Sequence, residues 1–385
     1  MWFTRVIVIF LIGLGLAAPV GLTLVTGSHS NLSGVTKKTS AVPFSLSSIM
    51  DGSFQGSFEK RFSRWLSLYG TFVKADNQLS LWLFQQVSSN PKSRVVMGRN
   101  GQLLERSYLP AFNRIGVPKR SKLEGLADQI VALRDYLKLR HKGFVLLIST
   151  NKPSFYPDIV PSWYQVSGAQ SKPSGYDILI AALRKRGLEP LDSRSLLRSA
   201  EAQSNAPMFA PTGTHWNGFG ACLVSAELGE QTQRQLNRPM SRLVCNVVGV
   251  DGPPTTQDLD LLQITNLLFP ASLIKSVPRT KFTVTPTDVT GEKPRLLMIG
   301  TSFCWELLQV LQRNLLFSDL EFLYYFQRQV LSRGGKQRSI SKESFDVLAA
   351  IDRSDVVVIE VNEAFVHRAG YGFIERAIKA LQPIR

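Results

Sequence analysis

Residues 294–312 read PRLLMIGTSFCWELLQVLQ, and the reading of this stretch decides the fold. Leu296–Ile299 is a short apolar run of the kind that fills a buried strand. Gly300 and Thr301 interrupt it. From Trp305 onward Leu307, Leu308 and Leu311 recur at helical spacing, so a helix starts within a few residues of the strand's end. Ser302 therefore sits at a strand-to-helix turn. Such a turn lifts a side chain clear of a sheet, and the first turn of the helix presents N–H groups to any negative charge that forms nearby. A nucleophilic serine beside an oxyanion hole uses this setting. A serine that only caps the helix uses it as well. The stretch alone leaves both readings open. Cys304, two residues on, falls in the helix's first turn and is expected to face packing rather than substrate.

Outward from this stretch the same alternation repeats. GFVLLIST (143–150), LEFLYYF (320–326) and SDVVVIEVNE (354–363) read as strands. The segments 122–143, 176–187 and 219–236 read as helices between them. Apolar strands alternating with helices predict an α/β fold with a mainly parallel sheet covered on both faces. Phe58–Gln86 has helical spacing, and VVMGRNGQLLE (95–105) reads as a hairpin turning at Asn100-Gly101. Residues 246–290 are less regular and are expected to hold hairpins or an insertion.

The N-terminus carries a different signal. Residues 5–27, RVIVIFLIGLGLAAPVGLTLVTG, hold no charge after Arg5 and are long enough to cross a bilayer. The expectation is an N-terminal signal anchor or transmembrane helix over 1–27, with a cleaved signal peptide as the rival reading. A Ser/Gly/Thr-rich stem over 28–57 and one large domain over 58–385 follow. Arg5 ahead of the apolar run favours a cytoplasmic N-terminus, so the main domain is expected on the periplasmic side of the inner membrane.

The 385 residues carry a formal net charge of +16, which suits an acidic partner. The basic residues are scattered, and neither a dense basic tract nor zinc-finger spacing supports nucleic-acid recognition. Cys222, Cys245 and Cys304 lack metal-ligand spacing, so no metal is expected. Cys222 and Cys245 are candidates for one disulfide in an oxidising compartment, although sequence does not show that they meet.

A serine nucleophile needs a base, usually a histidine. His29 lies in the stem, His141 ends a surface helix, and His367 follows the last strand. His215 lies in PTGTHWNGFGA, a Gly-rich turn just before a helix, where an α/β sheet presents functional groups.

GTHWNGFGA and LLMIGTSF resemble the Asp-x-His-Trp and Gly-Asp-Ser-Phe motifs of the alginate O-acetyltransferase AlgJ/AlgX family, which carries an SGNH-hydrolase-like domain. MGRNGQLL and the loop STNKPSFYPDIVP are similar to further segments of that family, and the motifs follow in the family's order. The resemblance spans roughly residues 55–370 and implies a three-layer α/β/α domain. It also implies a catalytic Ser302–His215 pair and acetyl transfer to an extracytoplasmic polysaccharide, without a cofactor. Because acetyl groups originate in the cytoplasm, it further implies a membrane-bound O-acyltransferase as acetyl supplier. The acceptor polysaccharide, in view of the charge, is expected to be acidic.

Two departures stand out. Gly213 occupies the place of the family's aspartate two residues before the histidine, and Thr301 that of the aspartate before the serine. Asp158, Glu360 and Glu363 are candidates to replace the first as the acid that orients the imidazole. Otherwise a Ser302–His215 dyad acts alone, or the domain is a non-catalytic glycan-binding or scaffold subunit of a polysaccharide modification or export complex. An acetylesterase is a third alternative. Trp216, Asn151, Lys152, Gln327 and Arg328, near strand ends where such sheets bind ligands, are the candidate substrate contacts.

Overall fold

The computed structural model describes residues 2–27, 32–34, 40–252, 254–274, 280–286, 291–331 and 336–382. Parts of the expected stem (28–31 and 35–39) and of the 246–290 segment (253, 275–279 and 287–290) lie outside the described residues. The chain divides into two compact units, Met1–Met97 with Asp260–Lys275, and Gly98–Leu259 with Ser276–Arg385.

In the first unit Trp2–Thr26 forms a helix. Among the described residues no helix is long and apolar enough to cross a membrane, so the expected anchor is not shown. The single helix read over Phe58–Gln86 is two helices, Ser53–Trp65 and Tyr69–Phe84. The break falls where Leu66 turns extended, with ψ of 127°.

The second unit is built on a seven-stranded sheet. In chain order its strands are β1 (Gly143–Ser149), β2 (Leu191–Asp192), β3 (Arg295–Gly300), β4 (Asp319–Tyr324), β5 (Arg328–Leu331), β6 (Gln337–Ser339) and β7 (Val356–Asn362). The spatial order is β6-β5-β4-β3-β7-β1-β2. Strands β4, β3, β7, β1 and β2 run parallel, whereas β5 and β6 join antiparallel, so the sheet is mixed rather than mainly parallel throughout. The cause is the tight turn after Tyr324, which returns the chain beside β4 as a hairpin. A parallel neighbour would need a crossover of a dozen or more residues.

The apolar runs are continuous because both sheet faces are covered. In β7, Val356 and Val358 enter one core while Val357, Ile359 and Val361 enter the other. Leu296 and Met298 of β3 part in the same way from Leu297 and Ile299. One face is covered by α3 (Gly218–Leu236) and α4 (Cys304–Arg313). The other is covered by α1 (Arg120–Leu139), α2 (Gly175–Lys185) and α5 (Phe373–Leu381). Each buried leucine, isoleucine or valine here contributes about 1.5–3 kcal/mol. Ser174 and Asp177 close a reciprocal capping box at the start of α2. Within the irregular segment Leu243–Gly249 pairs antiparallel with Lys281–Pro286, and a Cys222–Cys245 disulfide ties that ribbon to α3.

Candidate active site

Strand β3 ends at Gly300 and α4 begins at Cys304, leaving Thr301–Ser302–Phe303 as the turn. A side chain is excluded at position 300, since a Cβ there would lie 2.5 Å from the Cys304 sulfur and 2.7 Å from Glu360 Oε2. Thr301 Oγ1 accepts the Phe303 amide at 3.2 Å, so the threonine closes the turn locally. The helix then starts with the Trp305 amide on the Ser302 carbonyl, at 3.2 Å. Ser302 is half-buried in this turn.

The histidine arrives on a second loop. Asn217 caps α3 by accepting the Gly220 amide at 3.0 Å, and its own amide holds the Met208 carbonyl at 2.8 Å. His215 precedes this cap, and its Nε2 lies 2.8 Å from Ser302 Oγ. That is hydrogen-bond distance for a nucleophile and its base. The Phe303 ring meets the imidazole edge to face at 4.8 Å and Trp216 at 5.0 Å. Residues 87 apart in sequence are thus held together by one aromatic wedge between them.

Of the three candidate orienting acids, none is brought to His215 by a hydrogen bond that the described geometry shows. Glu360, on β7, is fully buried beneath the nucleophile turn. Its carboxylate accepts the Thr301 amide at 2.6 Å, the Ser149 hydroxyl at 2.5 Å and the Cys304 thiol at 3.5 Å. Burial pushes the Glu360 carboxyl up from its ordinary value against those donors, and burial with the Glu360 charge pushes the Cys304 thiol far up. Cys304 is therefore an inert packed thiol, as expected. Glu363 accepts the Thr150 hydroxyl at 2.8 Å and the Asn151 amide at 2.9 Å, and pairs with Arg194. Asp158 is exposed in the short turn Pro157–Ile159. His367 lies on the Glu363–Gly372 segment, and burial lowers its pKa.

Position 213 has no room for an aspartate. A Cβ on Gly213 would stand 2.9 Å from the Gln257 carbonyl oxygen and 3.3 Å from that of Asp258. The 255–258 turn occupies this space. Its Asp258 carboxylate accepts both the Thr255 amide and hydroxyl at 2.8 Å, and its Asp258 carbonyl accepts the Thr212 hydroxyl at 2.6 Å.

Three of the five expected substrate contacts are structural. Trp216 is fully buried under Phe303. Asn151 is buried and caps the Lys152–Phe155 turn through the Ser154 amide. Lys152 is 1% exposed, and its ammonium donates to the carbonyls of Leu103, Ala210, Pro211 and Gly213 at 2.7–3.2 Å. Gln327 and Arg328 are exposed on the β4–β5 hairpin. The sequence reading missed Tyr325. Both Tyr325 and Phe326 hold φ of 50°, a left-handed conformation uncommon for aromatic residues, with the Tyr325 amide fixed on the Gly300 carbonyl at 2.8 Å. The Tyr325 hydroxyl faces Ser302, and burial pushes it up to about 12. Its ring packs edge to face on Tyr371 at 5.0 Å. The double tyrosine in LEFLYYF was a strand pattern in sequence, and only the tight turn reveals the second ring as part of the site. Among the described residues no cluster of His, Cys, Asp and Glu could hold a metal.

A mixed α/β/α sheet that meets a serine at the β3–α4 turn with a histidine from the loop before α3 defines an SGNH-hydrolase-like domain. Residues 95–319 match the family described as SGNH hydrolase-like domain, acetyltransferase AlgX, and the chain belongs to that family. No curated protein matches the sequence. Among solved structures, the O-acetyltransferase domain of Pseudomonas putida AlgJ is similar at 20% identity and a TM-score of 0.45, covering 74% of this chain and 99% of that one. Pseudomonas aeruginosa AlgX is similar at 15% identity and 0.41, covering 73% and 66%. Bacillus cereus PatB1 is similar at 13% identity and 0.42, covering 71% and 96%.

Proposed function

We propose that this chain is an O-acetyltransferase that modifies a polysaccharide outside the cytoplasmic membrane, with Ser302 as nucleophile and His215 as base. The observation that carries this reading is the 2.8 Å contact between Ser302 Oγ and His215 Nε2 in a chain of the AlgX acetyltransferase family. His215 Nε2 takes the hydroxyl proton as Ser302 Oγ attacks the carbonyl carbon of an acetyl donor. The tetrahedral oxyanion forms at the N-terminus of α4, with the Tyr325 hydroxyl close by. Collapse expels the donor's leaving group, which receives the proton from His215, and leaves acetyl-Ser302. A sugar hydroxyl then gives its proton to His215, attacks the acetyl-serine, and leaves as the O-acetyl sugar with Ser302 restored.

The Cys222–Cys245 disulfide favours an oxidising, extracytoplasmic compartment. The charge-free run after Arg5 favours attachment to the inner membrane. A net charge of +16 suits an acidic polymer such as a uronate, and a membrane-bound O-acyltransferase would supply the acetyl groups.

The test is mass spectrometry of the protein after incubation with an activated acetyl ester. The expected result is an acetyl group on Ser302, absent from Ser302→Ala and formed about a thousandfold more slowly in His215→Ala. Gly213 favours a second reading, a glycan-binding subunit without catalysis. Absence of adduct and of ester turnover across a broad pH range would select it.

A further inference from the structure

We propose that the helix Ser53–Trp65 lies on the surface of an anionic lipid bilayer, with its aromatic stripe in the headgroup region. Four aromatic side chains, Phe54, Phe58, Phe62 and Trp65, recur at spacings of four, four and three, which places them along one side of the helix. Their rings form a continuous ladder, with centroids 6.2, 5.8 and 5.7 Å apart. Phe44 adds an edge-to-face contact to Phe54 at 5.3 Å. This ladder is not a core. Phe58 is 58% exposed, Phe62 40% and Phe44 74%.

The contrast with the catalytic unit is sharp. Phe72, Trp82, Phe84 and Phe269 of the same unit are also exposed, whereas the only exposed aromatic among the described residues of the catalytic unit is Trp163. Exposed apolar surface of this extent marks a contact with another phase or partner. The charges select which. Lys60, Arg61 and Arg64 are exposed on the same helix, against one acid, Glu59. Aromatic rings on one side with arginine and lysine on the remaining, polar face is the composition of a helix lying in a membrane interface, where rings sit at headgroup level and cations reach anionic lipid. The helix also has a fixed relation to the apolar N-terminal helix. The Ser67 amide, just past Trp65, donates to Thr23 Oγ1 at 2.8 Å, and Thr23 is 2% exposed.

The inference is independent of the chemistry at Ser302. Its test uses the full chain bound to vesicles, with an environment-sensitive fluorophore at Phe58→Cys or, one residue on and about 100° round the helix, at Glu59→Cys. Cys304 is buried and out of the reagent's reach. Whatever brings the chain to the vesicle is common to both proteins, so a difference between the labels reports how the helix lies. Brominated lipids are expected to quench the label at 58 severalfold more than the label at 59. The difference should be larger in phosphatidylglycerol than in phosphatidylcholine vesicles, and should disappear in the triple variant Lys60→Glu, Arg61→Glu, Arg64→Glu. Phe62→Cys repeats the measurement if the first variant misfolds. Equal quenching at both positions, or a difference indifferent to lipid charge, would overturn the proposal and leave the stripe to a protein partner.

Discussion

Beneath Ser302 the chain rests on an acid, and beneath the histidine loop it rests on a base. Glu360 gathers donors from the nucleophile side, namely the Thr301 amide, the Ser149 hydroxyl and the Cys304 thiol. Lys152 gathers acceptors from the histidine side, the carbonyls of Ala210, Pro211 and Gly213, together with that of Leu103. Both groups are buried, and Ser149 and Lys152 come from the same stretch at the end of β1. A buried ionisable group is costly unless its hydrogen-bonding capacity is met, so each is a deliberate fixture. The difference lies in what each can hold. A carboxyl fixes N–H and O–H groups and so suits the start of a helix. An ammonium fixes carbonyls and so suits a turn whose backbone oxygens converge. Where the motif that GTHW resembles has an aspartate, this chain has Gly213, and Lys152 secures the loop through its backbone carbonyls.

Removing the ammonium should have the larger consequence. Lys152→Met takes a donor from four carbonyls; those of Pro211 and Ala210 keep the Leu103 and Gly213 amides, while each acceptor left unsatisfied in the interior costs about 1–3 kcal/mol. A shift of the histidine by about 1 Å is enough to lower kcat by roughly a hundredfold. The expected result is a folded protein in which kcat for an activated acetyl ester falls by about 10- to 100-fold while KM changes little. Local hydrogen exchange at residues 210–216 should rise in parallel. Unchanged kcat in a folded variant would mean that the lysine only supports the fold. Gly213→Asp is the next test, because it restores the aspartate of the motif that this loop resembles. Its Cβ has to displace the Gln257 carbonyl from 2.9 Å, so the variant should lose about 1–3 kcal/mol in urea unfolding and gain no activity. A gain in kcat would show that the 255–258 turn yields easily and that an aspartate at this position assists the histidine.

What could be read from the residues follows the same division. The β3–α4 turn was legible because a four-residue apolar run, a glycine and a helical repeat are local signals. The histidine was legible because only four exist and one lies in a Gly-rich turn. The supports were not legible. Whether a lysine after a strand faces solvent or a ring of carbonyls depends on three segments, near 103, 152 and 210–213, that meet only in the fold. The same holds for Trp216, which sequence offers equally to a sugar or to Phe303. Glu360 was noticed as an acid near the right strand end, but strand register decides that it faces the turn before Ser302. The β4–β5 hairpin was missed because Tyr325 and Phe326 extend the leucine and aromatic pattern of a strand, while their backbone turns left-handed. Residues 5–27 are conspicuous in sequence as a charge-free run, and among the described residues no helix is long and apolar enough to cross a membrane.

Two smaller effects probe the nucleophile side. Tyr325→Phe removes the hydroxyl that faces Ser302 and keeps the ring on Tyr371. Losing a donor able to reach the oxyanion that forms at Ser302, about 0.5–1.5 kcal/mol, should lower kcat/KM by roughly 2- to 10-fold. A change confined to KM would assign the hydroxyl to acceptor binding instead.

Glu360→Gln is the subtlest test, because it asks in which protonation state the acid supports the turn. Burial raises the Glu360 pKa in the folded protein, while the Thr301, Ser149 and Cys304 donors oppose it. Burial prevails, so the folded state keeps a proton that the unfolded chain has already released. Stability from this group is then fully present below the ordinary glutamate value and declines as pH rises toward the folded value, by at most about 1.4 kcal/mol per pH unit. Glutamine stays neutral throughout. In urea unfolding from mildly acidic to neutral pH, the wild type should therefore lose stability relative to Glu360→Gln. The opposite slope would mean that the three donors win and that a carboxylate sits beneath the nucleophile. A neutral acid leaves the helix N-terminus free to stabilise an oxyanion on the substrate, whereas a carboxylate there would oppose it. The slope of one titration thus decides whether the acid under Ser302 is only a brace or also a brake.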